Sequence, residues 1–260
     1  MTPVDGIRFA FGTLTVLPVR VTRWDRDAAR AGMLAAPLAG LVVGLFAAAV
    51  GGLAALLGSG ALLAAVATAA VPAALTRGLH LDGLADTADG LGSGKPAEDA
   101  LRIMKQSDIG PFGVITLLFV LLAQIAALTA LYEDGWAYGA AGAGISAVTA
   151  RLALTLASRT GVPPARPEGL GAAVAGVVPV RTGLAVAALV AALCAGAGAL
   201  LADAGTAVHQ LLAVLAALAG AELLLRHCVR RFGGVTGDVF GALAETAATV
   251  ALVALVLGRV

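Results

Sequence analysis

Charged residues are scarce in this sequence, and neither sign of charge is in clear surplus. Only 13% of the 260 residues are Asp, Glu, Lys or Arg, about half the share found in an ordinary soluble domain, and 60% are hydrophobic. The formal net charge of +1 lacks the basic surplus that nucleic-acid binding needs. The composition therefore predicts an integral membrane protein with no nucleic-acid partner.

Cysteine is nearly absent as well. The chain has 2 cysteines, Cys194 in an apolar run and Cys228 in a basic loop. This pair offers neither a disulfide framework nor a CxxC metal site. His80 also lacks the further nitrogen and sulfur ligands that zinc prefers, so the sequence argues against a zinc site.

The apolar residues group into seven segments, each long enough to cross a hydrocarbon core, which takes about 20 residues. In chain order the segments are 32–57, 61–77, 111–131, 137–158, 182–202, 207–226 and 239–258. A shorter run at 9–17 has no lysine-rich start and no small-residue cleavage site, which favours an interfacial or re-entrant segment over a removed signal peptide. The pattern predicts an all-α polytopic bundle that forms one domain over 1–260.

Basic residues are concentrated in alternate loops. The loops after the third and fifth segments contain acidic residues and no lysine or arginine, whereas the N-terminal stretch and the other long loops hold nearly all the basic residues. The positive-inside rule therefore predicts a cytoplasmic N-terminus and cytoplasmic long loops. The polar groups then gather on one face, unlike those of a transporter, which lie deep in several spans.

Residues 77–92 carry the most distinctive polar pattern. Asp82, Asp86 and Asp89 are spaced by four and three residues, so in a helix they fall within about 60° of one face. Neighbouring carboxylates raise one another's pKa unless a cation compensates them. Magnesium prefers hard oxygen ligands and combines a few carboxylates with water and phosphate oxygens. The spacing predicts an Mg²⁺ site on these three residues; the alternative is a solvated acidic face that caps the bundle.

Candidate substrate-binding groups surround the acidic face. Gly83 and Gly90 each cost a helix about 1 kcal/mol relative to alanine, which predicts that a bulky substrate approaches the backbone there. Lys105 and Arg102 follow in the same loop and supply a point charge and a two-pronged guanidinium for phosphate oxygens. The alternative for these two is that they only set the topology. His80 is a candidate base.

A second polar stretch precedes the last predicted span. Gly233, Gly234 and Thr236 supply backbone amides before a helix, a geometry that is able to bind an anion. We therefore interpret these three residues as substrate-binding.

Asp238 and Glu245 are seven residues apart and share one face of the last span. An ionisable residue two turns into a span costs about 2.5–3.5 kcal/mol on insertion scales, so a functional role is the default interpretation. Both are candidate catalytic bases or further metal ligands. The alternative is that Asp238 caps the helix and Glu245 pairs with a basic residue such as Arg151.

Together these motifs resemble one enzyme family. They are Arg77-Gly-Leu-His80-Leu-Asp82-Gly83-Leu-Ala-Asp86-Thr-Ala-Asp89-Gly90, then Met104-Lys105-x-Ser107-x-Ile109-Gly110-x-x-Gly113, then Gly233-Gly234-x-Thr236-Gly-Asp238 with Glu245. With Thr13-x-x-x-Leu17-Pro18-Val19 and Pro37-x-x-Gly40-x-x-x-Gly44, the chain resembles the cobalamin synthase (adenosylcobinamide-GDP ribazoletransferase) family nearly end to end. The triplet at 106–108 is Gln-Ser-Asp, whereas many members have an Asp-Ser-Arg-like version.

The resemblance implies a multi-pass enzyme of the bacterial cytoplasmic (inner) membrane. It would join adenosylcobinamide-GDP to α-ribazole or α-ribazole 5′-phosphate and release GMP. Under this hypothesis, Mg²⁺ on the three aspartates bridges the pyrophosphate, and a carboxylate or His80 takes the proton of the ribose hydroxyl. Besides the substrates and the lipid bilayer, a second copy of the chain or other corrinoid-assembly enzymes are candidate partners.

Two other functions stay open from the residues alone. The acid spacing is similar to that of CDP-alcohol phosphotransferases, membrane enzymes that hold magnesium with aspartates. Their Asp-Gly-x-x-Ala-Arg pattern is not matched, because Asp86 follows Ala85 where arginine would stand. The other candidate is a corrinoid transporter or scaffold without catalytic activity.

Overall fold

The computed structural model describes residues 3–258, and within that range it is built from helices. Eleven of them occur in the described residues: α1 Pro3–Leu14, α2 Arg26–Leu56, α3 Ala61–Leu75, α4 Leu79–Gly92, α5 Ala97–Ile103, α6 Pro111–Glu133, α7 Trp136–Ala157, α8 Gly169–Val174, α9 Val180–Leu201, α10 Ala204–Phe232 and α11 Gly237–Val256. The same residues form no strand beyond isolated bridges between loop segments. The predicted all-α class is confirmed.

Six of the helices in residues 3–258 are long and apolar enough to cross a membrane, namely α2, α6, α7, α9, α10 and α11. A seventh span exists only if α3 and α4 are taken together, and these two meet at 87°. The predicted number of about seven is therefore confirmed, although the segment at 61–77 is a helix of 15 residues that ends at Leu75. Because α4 turns away at nearly a right angle, it runs across the end of the bundle, outside the six spanning helices.

The short apolar run near the N-terminus forms α1. With 12 residues, α1 is about 18 Å long and cannot cross a hydrocarbon core alone. It packs on α2, and its fully buried Phe9 meets the ring of Trp24, in the segment before α2, edge-on at 5.4 Å between centroids. The hydroxyls of Thr13 and Thr15 donate to backbone carbonyls one turn back, which satisfies them within the helix.

Small residues let the central helices approach closely. A Cβ atom added to Gly40 of α2 would lie 2.5 Å from the carbonyl oxygen of Ala147 in α7. No larger residue fits there unless the two helices separate. Close backbone contact of this kind is the usual basis of helix association in membranes, where lipid is as apolar as the helix surface.

The long loops meet at one end of the bundle. Val235 donates to Pro163 at 2.9 Å and accepts from Ala165 at 2.9 Å, which joins the loop before α8 to the loop before α11. Lys105 lies 3.4 Å from Glu168, which joins the loop after α5 to the same region. These contacts place the three predicted polar segments together, at the end of the bundle that carries α4.

Candidate active site

The α4 helix begins after a sharp left-handed turn. Arg77 has a φ of 52° and Gly78 a φ of 70°, and the helix starts at the next residue, Leu79. This turn produces the bend between α3 and α4. Arg77 is the one non-glycine residue with a positive φ in the part of the chain that the structure describes. The predicted helical aspartate segment is confirmed by α4.

Asp82 and Asp86 line a cavity of about 830 Å³, called the wide cavity below. Its walls come from α1, the turn between α3 and α4, one face of α4 and the loop at 106–109. Asp82 is exposed and Asp86 is partly buried. Because the two residues are four apart on one helix, their side chains are neighbours on its surface.

Burial raises the pKa of the Asp86 carboxyl to about 7, and the negative charges of Asp82, Asp238 and Asp89 contribute further. The carboxylates of two helices, α4 and α11, therefore face a common region, and a cation placed there would relieve their repulsion. No group of three His, Cys, Asp or Glu side chains within residues 3–258 is arranged to enclose a metal ion by itself. Water and substrate oxygens would have to complete the coordination of any ion at this position.

Asp89 has a different environment from the other two aspartates. It is 7% exposed, and its two carboxylate oxygens accept the amides of Gly110 at 2.7 Å and Gly113 at 2.9 Å. Gly110 is the N-cap residue of α6 and contributes no side-chain bond, so Asp89 satisfies the first amides of α6 from another helix. Capping is the role that the contacts of Asp89 support, and its metal-binding role stays a prediction.

On a neighbouring face, α4 lines a second cavity of about 270 Å³, called the narrow cavity below. This cavity lies between α4, the segment 166–171 and the start of α11, and it includes Asp82 and His80. His80 is 3% exposed, and neither ring nitrogen has a hydrogen-bond partner among the described residues. A buried imidazole with two unsatisfied nitrogens is costly.

Asp238 lies at the opposite wall of the narrow cavity, in the first turn of α11. Its Oδ2 accepts a bond from the Thr236 hydroxyl at 3.1 Å and lies 3.7 Å from Nη1 of Arg166. Thr236 is also the N-cap of α11, since its Oγ1 accepts the amide of Val239. The structure therefore brings Asp238 and Thr236 beside Asp82 and His80, as the two sequence motifs suggested.

Three glycines that were predicted to bind substrate pack against other parts of the protein. A Cβ on Gly83 would lie 2.6 Å from the carbonyl oxygen of Asp238, and one on Gly90 would lie 2.7 Å from Met104. A Cβ on Gly234 would lie 2.5 Å from the carbonyl oxygen of Pro163. These close contacts allow helices and loops to pack, and a substrate-binding role for the three glycines stays a prediction. Periodicity could not reveal this, because the covering residues lie far away in sequence.

Gly233 has a structural task of its own. It is the left-handed C-cap of α10, with a φ of 79°, and its amide bonds to the carbonyl of Val229. The amide of Val235, in the same motif, bonds to the carbonyl of Pro163. The segment is thus a helix–loop–helix connection whose amides are partly used, and anion binding by it stays a prediction.

Three other predicted residues lie away from both cavities. Lys105 pairs with Glu168, and Arg102 pairs with acidic residues of its own helix α5. Glu245 accepts a hydrogen bond from Gln124 at 2.9 Å, two turns deeper in the bundle. None of the three lines the wide or the narrow cavity. Their catalytic and binding roles stay predictions that this geometry does not support.

Sequence reasoning missed two arginines. Arg166 lines the narrow cavity and Arg77 lines the wide one. In the sequence, the positive-inside pattern already explained both arginines, so nothing marked them as site residues. The left-handed backbone at Arg77 had no signal in composition or periodicity. The unusual triplet at 106–108 also lines the wide cavity, beside the aspartates.

Comparison with known proteins agrees with the motifs. A family model described as cobalamin-5-phosphate synthase matches residues 6–256. The adenosylcobinamide-GDP ribazoletransferase of Frankia casuarinae is 44% identical over 96% of this chain and 94% of its own. The enzymes of the same name from a Nocardioides species and from Corynebacterium efficiens are 41% and 38% identical, each over 96% of this chain and over 97% and 90% of their own lengths. No solved structure matches this chain. On the strength of a match that runs almost end to end, the chain belongs to the cobalamin-5-phosphate synthase family.

Proposed function

We propose that this protein joins adenosylcobinamide-GDP to α-ribazole or its 5′-phosphate, giving adenosylcobalamin or its 5′-phosphate and GMP. This is the last step in assembling the nucleotide loop of cobalamin. The observation that carries the proposal is the Asp82–Asp86 pair on the wall of a wide polar cavity, at one end of a membrane bundle. The relatives described above bear the name of this activity.

The donor groups of the wide cavity fit Mg²⁺. Asp82 and Asp86 provide hard oxygens one helical turn apart, and Mg²⁺ typically takes one or two carboxylates together with water and substrate phosphates. Burial is the main cause of the raised pKa of Asp86, and the nearby negative charges of Asp82, Asp238 and Asp89 add to it, so a cation would relieve their repulsion there. When bound, Mg²⁺ would neutralise the charge that develops on the leaving GMP phosphate.

The remaining chemistry falls to the side chains around Asp82. The acceptor hydroxyl oxygen forms a bond to the phosphorus that carries the cobinamide group, and the bond from that phosphorus to the GMP phosphate oxygen breaks. The electron pair of the broken bond leaves with GMP. His80 and Asp238 are the groups positioned to take the hydroxyl proton, because both lie on the walls of the narrow cavity beside Asp82.

The membrane setting suits this reaction. Water is the competing nucleophile at an activated diphosphate, and an apolar bundle with one polar end limits its access. The concentration of basic residues at the end of the bundle that carries α4 supports a cytoplasmic location for the site and for the N-terminus, in the bacterial inner membrane.

The test is turnover by the purified protein in lipid nanodiscs. Adenosylcobinamide-GDP, α-ribazole and Mg²⁺ should give GMP and a new corrinoid spectrum, and GMP release should depend on ribazole. Asp82→Asn should abolish turnover, while Glu98→Gln, at an exposed site on α5, should leave it unchanged. Absence of turnover in the wild type would contradict the function, and ribazole-independent GMP release would indicate hydrolysis instead.

A further inference from the structure

Two cavities lie against α4 and meet at its first turn. The wide and narrow cavities share Asp82 together with Leu79 at the start of the helix. Their volumes of about 830 and 270 Å³ lie near the two ends of the usual range for ligand sites. A reaction that joins a large donor to a small acceptor needs two sites of such unequal size, both of which reach the reacting phosphorus.

Arg77 supplies positive charge to the wide cavity, and its backbone is strained. Arg77 lines this cavity at a φ of 52°, in the left-handed region, where a non-glycine side chain is strained. Glycine would make the same turn without strain, as the adjacent Gly78 does. An arginine at this strained position therefore indicates a functional role for its side chain. A guanidinium in a polar cavity is suited to bind the paired oxygens of a diphosphate.

The narrow cavity contains a buried imidazole that lacks hydrogen-bond partners. His80 is 3% exposed with both ring nitrogens unsatisfied, and it lines this cavity together with Arg166. The side chain of Arg166 is mostly buried; its Nη2 donates to the carbonyl of Leu101, whereas its Nη1 lies 3.7 Å from Asp238, longer than a hydrogen bond. A ligand with hydroxyl groups and an anionic end would satisfy the imidazole and the guanidinium together.

We propose, on the basis of the function above, that the two substrates reach Asp82 through these two cavities, on neighbouring faces of α4. The diphosphate-linked corrinoid occupies the wide cavity, with its diphosphate at Arg77. The nucleoside acceptor occupies the narrow cavity, with its hydroxyl near His80 and its 5′-phosphate near Arg166.

This placement satisfies the geometry of phosphoryl transfer. The attacking and leaving oxygens lie roughly in line on opposite sides of the phosphorus in such reactions. An acceptor hydroxyl that arrives from the narrow side forms its bond to the phosphorus while the bond to GMP breaks on the wide side. The hydroxyl proton passes to a base in the narrow cavity, and GMP leaves through the wide one.

The experiment is steady-state kinetics in nanodiscs, with each substrate varied in turn and α-ribazole 5′-phosphate as acceptor. Loss of a charged hydrogen bond typically weakens binding about 10- to 100-fold. Arg77→Gln should raise KM for adenosylcobinamide-GDP by that factor and leave KM for the acceptor within about twofold. Arg166→Gln should do the reverse. Arg226→Gln, an exposed residue that lines neither cavity, should change neither constant.

Two further measurements separate binding from folding. Arg77→Gly relieves the strained backbone, so its melting temperature should not fall although its KM for the corrinoid rises as in Arg77→Gln. Equilibrium binding of adenosylcobinamide-GDP alone should be normal in Arg166→Gln, which shows that this variant is folded. Arg166→Lys, which keeps the charge, should recover part of the acceptor affinity.

The placement is overturned if Arg77→Gly keeps the wild-type KM, if each variant shifts both constants equally, or if the pattern is reversed. Each of these results is obtained with an enzyme that still turns over. They therefore differ from failure of the proposed function, in which the wild type releases no ribazole-dependent GMP.

Discussion

Replacing Asp89 with asparagine separates capping of α6 from metal binding. The carboxylate is 7% exposed and accepts the amides of Gly110 and Gly113 at 2.7 and 2.9 Å. Asparagine has one acceptor oxygen, so its side-chain nitrogen would face one of the two N–H donors. We expect Asp89→Asn to lose a charge-assisted hydrogen bond and to leave a buried amide unpaired, which lowers the free energy of unfolding by about 2–3 kcal/mol.

The assay is chemical unfolding in detergent micelles, followed by circular dichroism. Asp82→Asn is the matched control, because Asp82 is exposed on the same helix and its replacement should change the unfolding free energy by less than about 0.5 kcal/mol. The Mg²⁺ concentration for half-maximal turnover should stay normal in folded Asp89→Asn. The reasoning is refuted if Asp89→Asn unfolds like the wild type but needs much more Mg²⁺.

Three further predictions concern packing, metal and pH. Gly83→Ala should lower the unfolding free energy by about 1–3 kcal/mol, because the new methyl group meets the α11 backbone, whereas Gly144→Ala, with open space around it, should be neutral or stabilising. EDTA should abolish turnover, and added Mg²⁺ should restore it. Mg²⁺ at about a hundredfold its Kd should also raise the free energy of unfolding of the wild type by about 2.7 kcal/mol, and that of Asp82→Asn by less. Asp25 caps α2, and its hydrogen bonds from Arg23 and from the α2 amides lower its pKa. The resulting stabilisation is complete above the ordinary pKa of 3.8 and is lost as the pH falls through the lowered pKa. The melting temperature should therefore fall less steeply with decreasing pH in Asp25→Asn than in the wild type.

Hydropathy was enough to find the helices but not their directions. The segment at 61–77 was predicted from its apolar residues, and hydropathy does not predict the 87° bend that follows Leu75. That bend depends on left-handed backbone at Arg77 and Gly78. Some helix ends also differ from the prediction. The helix α10 continues to Phe232, past the apolar segment predicted to end at 226, because a helix can extend beyond the apolar region with charged residues.

The aspartate pattern illustrates what a helical period can and cannot predict. It placed Asp82 and Asp86 correctly on one helix, and both line the wide cavity. It grouped Asp89 with them, although the partners of Asp89 are amides 21 and 24 residues further on. A contact between helices of this kind depends on how α4 and α6 cross, which no local pattern specifies.

The contact at Gly83 has a mechanical consequence. The backbones of α4 and α11 touch there with no side chain between them, so no deformable layer absorbs relative movement. A spanning helix tilts when the bilayer becomes thinner than its apolar length. Any tilt of α11 would therefore be passed directly to α4 and its aspartates, which makes the acyl-chain length of the surrounding lipid a determinant of the turnover rate.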